Sequence, residues 1–116
     1  MKADGAGWTK IAAYRDFYDV PRAFILEPRP RLILFFDCPF SSVLDDYPTS
    51  YRVFVLKSPS VSELPQDWRG FEPLKVGPIS EIQLSALQFD DTRRQSVHVE
   101  GIQDIVVAAE HLLAAG

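Results

Sequence analysis

What the chain has least of narrows it first. Cys38 is the single cysteine among 116 residues, so no intramolecular disulfide forms and a secreted disulfide scaffold is excluded. Long apolar runs are missing too. Leu32–Phe36, as long as any in the chain, falls far short of the ~20 residues that a membrane-spanning helix needs. Residues 1–7 are small and polar, a tail without the apolar stretch of a secretory leader, and the expected setting is the cytoplasm.

Metal ligands are equally scarce. Cys38, His98 and His111 are the only thiol and imidazole groups, and none stands at a zinc-binding spacing. Asp45-Asp46 and Asp90-Asp91 are adjacent pairs rather than the alternating oxygen ligands of a calcium loop. Glycine-rich phosphate cradles and the G-x-S-x-G elbow do not occur. The expectation is therefore neither a metal nor a cofactor.

What is present describes an ordinary globular domain. Hydrophobic residues make up 47% and charged ones 24%, which excludes disorder and coiled coil and leaves one domain spanning 1–116. The net charge of −4 is unevenly spread. Residues 1–58 carry eight basic and seven acidic groups, whereas residues 59–116 carry four and nine. Such a chain repels nucleic-acid phosphates at long range, so nucleic-acid binding driven by bulk charge is not expected.

The strand signals are strongest in the middle. Ala23–Glu27 and Arg31–Asp37 flank Pro28-Arg29-Pro30 and read as a β-hairpin, with the prolines withholding donors at its tip. Trp8–Tyr14, Arg52–Leu56, Ile79–Phe89 and Val97–Val99 are further strand segments, and Arg15–Pro21 reads as a connection. Ile82 and Leu84 alternate on one face while Leu87 and Phe89 fall on the other, which predicts a bulge or strand end near Ser85-Ala86. Residues 57–78 hold four prolines and two glycines, a long connection with the capping-box spacing Ser60-x-x-Glu63 for a short helix. Ile102, Ile105, Val106, Ala109, Leu112 and Leu113 share a helical face, so 101–115 is a C-terminal helix.

Leu32–Phe36 and Tyr51–Leu56 are apolar on both strand faces, so both faces of the sheet need cover. The expected fold is α+β, a mainly antiparallel, strongly bent sheet of five or six strands tending to an SH3-like barrel, with the C-terminal helix. A ferredoxin-like sandwich is the alternative. The two-sided strands also suggest a homodimer.

Missing catalytic motifs favour a non-catalytic binding or accessory module, with protein–protein interaction as its role. Asp45, Asp46 and Tyr47 in the Ser41–Ser50 loop, with Trp68 from a second loop, make the candidate binding surface, and a basic peptide or protein is its complement. The competing reading folds these aromatics over the sheet as lids. A small hydrolase or transferase using Cys38 or His98 is the alternative function. A second alternative is single-stranded nucleic-acid binding, with Arg22, Arg29, Arg31 and Arg52 interleaving Phe24, Phe35, Phe36, Tyr51 and Phe54.

Overall fold

The computed structural model describes residues 8–17, 21–38, 43, 49–90 and 95–115. Seven strands form one antiparallel sheet: β1 (Trp8–Phe17), β2 (Pro21–Arg29), β3 (Leu32–Asp37), β4 (Ser50–Leu56), β5 (Lys75–Gln83), β6 (Leu87–Phe89) and β7 (Ser96–Val99). The helix α1 (Ile102–Ala115) follows. The spatial order is β5-β4-β3-β2-β1-β7-β6, so the first five strands meander and the last two return along the outside of β1.

The α+β class, the antiparallel pairing and the terminal helix are as expected. The count of five or six strands is corrected to seven, and the order is open rather than a closed barrel. No parallel pair or crossover helix of a ferredoxin-like sandwich occurs among the described residues. The sheet nonetheless curls. Its two edge strands, β5 and β6, are joined by the single 3-10 turn Leu84–Ala86. Four residue steps reach at most about 14 Å, whereas edge strands of a flat seven-stranded sheet would lie roughly 29 Å apart.

That turn occupies the place where the apolar alternation slips phase. Two other boundaries differ from expectation. β1 runs on to Phe17 because it has two partners, β7 along Trp8–Lys10 and β2 from Ile11 onward, with a register shift between Ile11 and Ala13. Pro21 opens β2 opposite Phe17, a strand start where its missing donor costs little. β5 begins at Lys75, inside the proline-rich segment. Gly77 adopts φ +122° there, and an added Cβ would lie 2.7 Å from the Ile79 nitrogen, so only glycine fits.

Both sheet faces are covered from within the chain. On one, Phe24, Phe36, Tyr51 and Val53 pack with Ile105, Val106 and Ala109 of α1. Arg29 at the end of β2 holds the helix through a 2.8 Å ion pair with Glu110. On the other, Ile25, Ile33, Phe35 and Phe54 lie beneath the segment 61–74, whose Phe71 is buried. This segment is two 3-10 turns, Val61–Glu63 and Trp68–Leu74, rather than an α-helix. Ser60 does not cap the first by bonding a backbone N–H; its hydroxyl reaches the Glu63 carboxylate instead. Pro65 and Pro73 interrupt any longer helical run. The two-sided apolar strands therefore find their cover without a second copy.

Candidate functional site

Each candidate nucleophile and base has a definite place. Cys38 follows β3 and is 1% exposed among the residues packed on the α1 side. Its amide donates to the Arg22 carbonyl at 2.8 Å. Burial pushes the thiol up from its ordinary range; the charge and hydrogen bond of Arg22 pull the other way, and Asp37 adds to the rise. A raised thiol is the reverse of an activated one. His98 alternates along β7 with Val97 and Val99, which point into the same packed face as Cys38. His98 is thus directed to the opposite face, where its ring meets Trp8 edge-on at 5.8 Å. The sheet stands between the two groups that a thiol–imidazole pair would need in contact. No group of three or more His, Cys, Asp or Glu side chains placed to hold a metal occurs among the described residues.

The arginine and aromatic residues suggested as a stacking platform are divided likewise. Phe24, Phe36 and Tyr51 form one ring cluster against the helix side, with Phe24 and Phe36 stacked at 4.6 Å. Phe35 and Phe54 lie on the other face, 4% and 9% exposed. These rings are packed in the protein interior, leaving no flat aromatic face for bases. Arg29 is bound to Glu110, and Arg31 and Arg52 are exposed.

Trp68 occupies a more informative position. Its indole is half-buried on Phe35 and Phe71, at 5.8 and 5.0 Å between centroids, and the Arg15 guanidinium lies 5.7 Å from its ring. It folds over the sheet, as the lid reading requires, while keeping part of its surface open. Asp67 starts its turn by accepting from the Arg69 amide at 2.9 Å, and hydrogen bonds from Arg69 hold the Asp67 carboxyl below its usual range. The floor beneath is Ala13–Ile25–Phe35–Phe54, one register row across four strands.

The next row is charged. Arg15, Ala23, Asp37, Arg52 and Glu81 stand in register on β1 through β5, so two guanidiniums alternate with two carboxylates around one small residue. Asp37 is the most perturbed of them. Burial raises its carboxyl above the ordinary range despite the opposing pull of Lys75, Arg15 and Arg52. Lys75 in turn lies 4.7 Å over the Phe54 ring and pairs with Glu72 at 3.1 Å. Sequence reasoning flagged Trp68 but not this row, which exists only through the register of five strands.

Asp45, Asp46 and Tyr47 lie outside the described residues. The two ends of their loop are described. Cys38 follows Asp37 of the charged row, and Thr49, which accepts a 2.9 Å hydrogen bond from the Leu84 amide, precedes β4. The loop thus leaves from and returns to the strand ends that carry Asp37 and Arg52.

A second recess lies on the helix side. An open groove of about 750 Å³ runs between Gly77–Ile79 of β5 and the helix residues Val107, Ala108 and Leu112, with Asp104 and His111 also lining it. These helix positions form a stripe beside the one buried on the sheet, and Val107 is 49% exposed. The signal was present in the sequence, since Val107 and Ala108 fall outside the face that Ile102, Ile105, Val106 and Ala109 account for. Leu112, expected in the core, belongs to this groove. Comparison with protein-family models, with curated proteins and with solved structures finds no match for this chain, so the chemistry of the site stands on its own side chains.

Proposed function

We propose that the protein is a non-catalytic binding module that recognises a basic peptide or protein surface at the end of the sheet bearing Trp68 and the charged row. One observation carries the reading: Trp68 is fixed on two phenylalanines, half-exposed, beside charges held in strand register. A rigid aromatic next to fixed charges loses little freedom on binding, and such residues dominate interface energies. The loop that springs from this end carries Asp45, Asp46 and Tyr47, and the covering segment adds Glu63, its Asp67 and Glu72 being paired with Arg69 and Lys75. Acidic groups steer a basic partner, while the aromatics hold it. The separation of Cys38 from His98 by the sheet supports a non-catalytic role. One buried thiol suits a reducing compartment, and a cytoplasmic setting is part of the proposal.

The test uses Trp68 as its own reporter in a Trp8→Phe background. A short peptide of alternating lysine and leucine is expected to change the emission saturably, and its glutamate counterpart is not. Asp45→Asn with Asp46→Asn should weaken the response, as should added salt. Equal responses to both peptides, or an unchanged response in the double variant, would overturn the reading. So would rapid modification of Cys38 by a thiol probe in native protein at neutral pH.

A further inference from the structure

We propose that the outer stripe of α1 is a self-association surface, on which a second copy of this chain packs its own α1 antiparallel. The patch is both ridge and recess. Val107 projects, 49% exposed, and the groove between α1 and Gly77–Ile79 lies beside it. Two copies related by a two-fold axis set each Val107 over the partner's small Ala108 and lay each ridge along the other's groove, as an isologous interface requires.

Charge fixes the register and favours a second copy over a foreign helix. Asp104 and His111 lie on this stripe at equal distances either side of the Val107–Ala108 pair. An antiparallel match that brings Val107 onto Ala108 therefore brings Asp104 of each protomer to His111 of the other, twice over. Asp104 and His111 are two helical turns apart, about 10 Å, so both ends of a two-turn contact are pinned. The helix dipole adds to the arrangement, with an acid near the N-terminal end and a base near the C-terminal end.

The sheet edges offer no competing route. Pro78 withholds a donor in the middle of β5, Lys75 and Glu81 place charges towards its ends, and β6 is three residues long. The Trp68 face lies on the other side of the sheet and stays free in such a dimer, so the two proposals fail or stand separately.

The surroundings leave the Asp104–His111 pairing open. Asp104 is the acid on its own stripe, Gly77, Pro78 and Ile79 opposite it are uncharged, and neighbouring Glu110 is engaged by Arg29.

Sedimentation equilibrium on the full chain tests this, with circular dichroism to confirm that each variant is folded. Val107→Lys, at an exposed position, should leave the fold intact and give a monomer. Asp104→Lys and His111→Glu should each weaken the dimer, and the double variant should restore it. A wild-type chain that stays monomeric at high micromolar concentration would overturn the proposal. A dimer indifferent to Val107→Lys, or singles that the double variant fails to rescue, would overturn it as well.

Discussion

The hydroxyl of Tyr51 donates a 2.6 Å hydrogen bond to the carbonyl oxygen of Pro21, thirty residues earlier in the chain. The bond is buried, and it ties the start of β4 to the first residue of β2 across the intervening β3. Burial pushes the phenol well above its usual range, so the donor keeps its proton at every pH at which the protein is handled. The ring meanwhile packs edge-on against Phe24 at 5.2 Å. Tyr51→Phe preserves that packing and removes only the donor. A buried carbonyl stripped of its partner costs about 2 kcal/mol. Urea unfolding should show a lower midpoint at an unchanged slope, because the surface exposed on unfolding is the same.

The segment 61–74 covers a whole sheet face through few side chains, and they divide into structural and recognition residues. Phe71 is 1% exposed and meets Phe35 edge-on at 5.4 Å. Phe71→Ala opens a cavity beneath the cover and should cost about 3 kcal/mol. Trp68→Phe, at a half-buried position, should cost less than about 1 kcal/mol while weakening the binding of basic peptides, read by calorimetry because the variant lacks the reporter indole. Chemical unfolding and peptide titration of the same two variants separate the roles. A Trp68→Phe protein as unstable as Phe71→Ala would make Trp68 a structural lid only.

The β2–β3 hairpin was legible because its signals are local: two runs of β-branched and aromatic residues around prolines. The helix was legible through its periodicity, and the break at Leu84–Ala86 through a phase slip. Two-sided apolar strands announced that both faces would be covered. β1 was harder, because Lys10 and Arg15 interrupt its pattern and its length is set by two partner strands. β5 begins four residues before the expected Ile79, since Gly77-Pro78 mimics a loop although strand pairing continues on either side. The charged row was out of reach altogether. Arg15, Asp37, Arg52 and Glu81 are distant in the chain, and only pairing register makes them neighbours.

Arg31 closes the hairpin in a left-handed conformation, φ 68°, the single positive-φ residue other than glycine among those described. Such backbone costs a residue with an ordinary side chain about 1 kcal/mol, because its Cβ crowds the following carbonyl, and glycine or asparagine visits it more readily. Its amide donates to the Glu27 carboxylate at 3.2 Å, a bond that does not depend on the side chain. Arg31→Asn should therefore stabilise the fold by roughly 0.5 kcal/mol, since asparagine tolerates the conformation without glycine's extra unfolded-state freedom. Thermal unfolding would rise by a few degrees for a domain of this size. A fall would mean that the guanidinium makes a contribution larger than the backbone strain.

Asp37 gives the sheet a pH dependence whose sign can be worked out. Its carboxyl is raised in the folded protein, first by burial, and Lys75, Arg15 and Arg52 only partly offset that effect. The folded state therefore holds this proton at a pH where the unfolded chain has released it. Between the ordinary aspartate value and the raised one, the folded form binds more protons, so stability falls as pH rises through that window. Above it the whole penalty of ionising a half-buried carboxylate is present. Asp37→Asn removes the charge and keeps the shape, so at neutral pH it should match or modestly exceed the wild type in stability. Near pH 3, where both forms carry a neutral side chain, the two should converge. Urea midpoints for the pair across pH 3 to 8 decide the matter. A variant less stable at neutral pH than at acid pH, relative to wild type, would show that the three cations around Asp37 outweigh its burial and that the row Arg15–Asp37–Arg52 is held together by its charges.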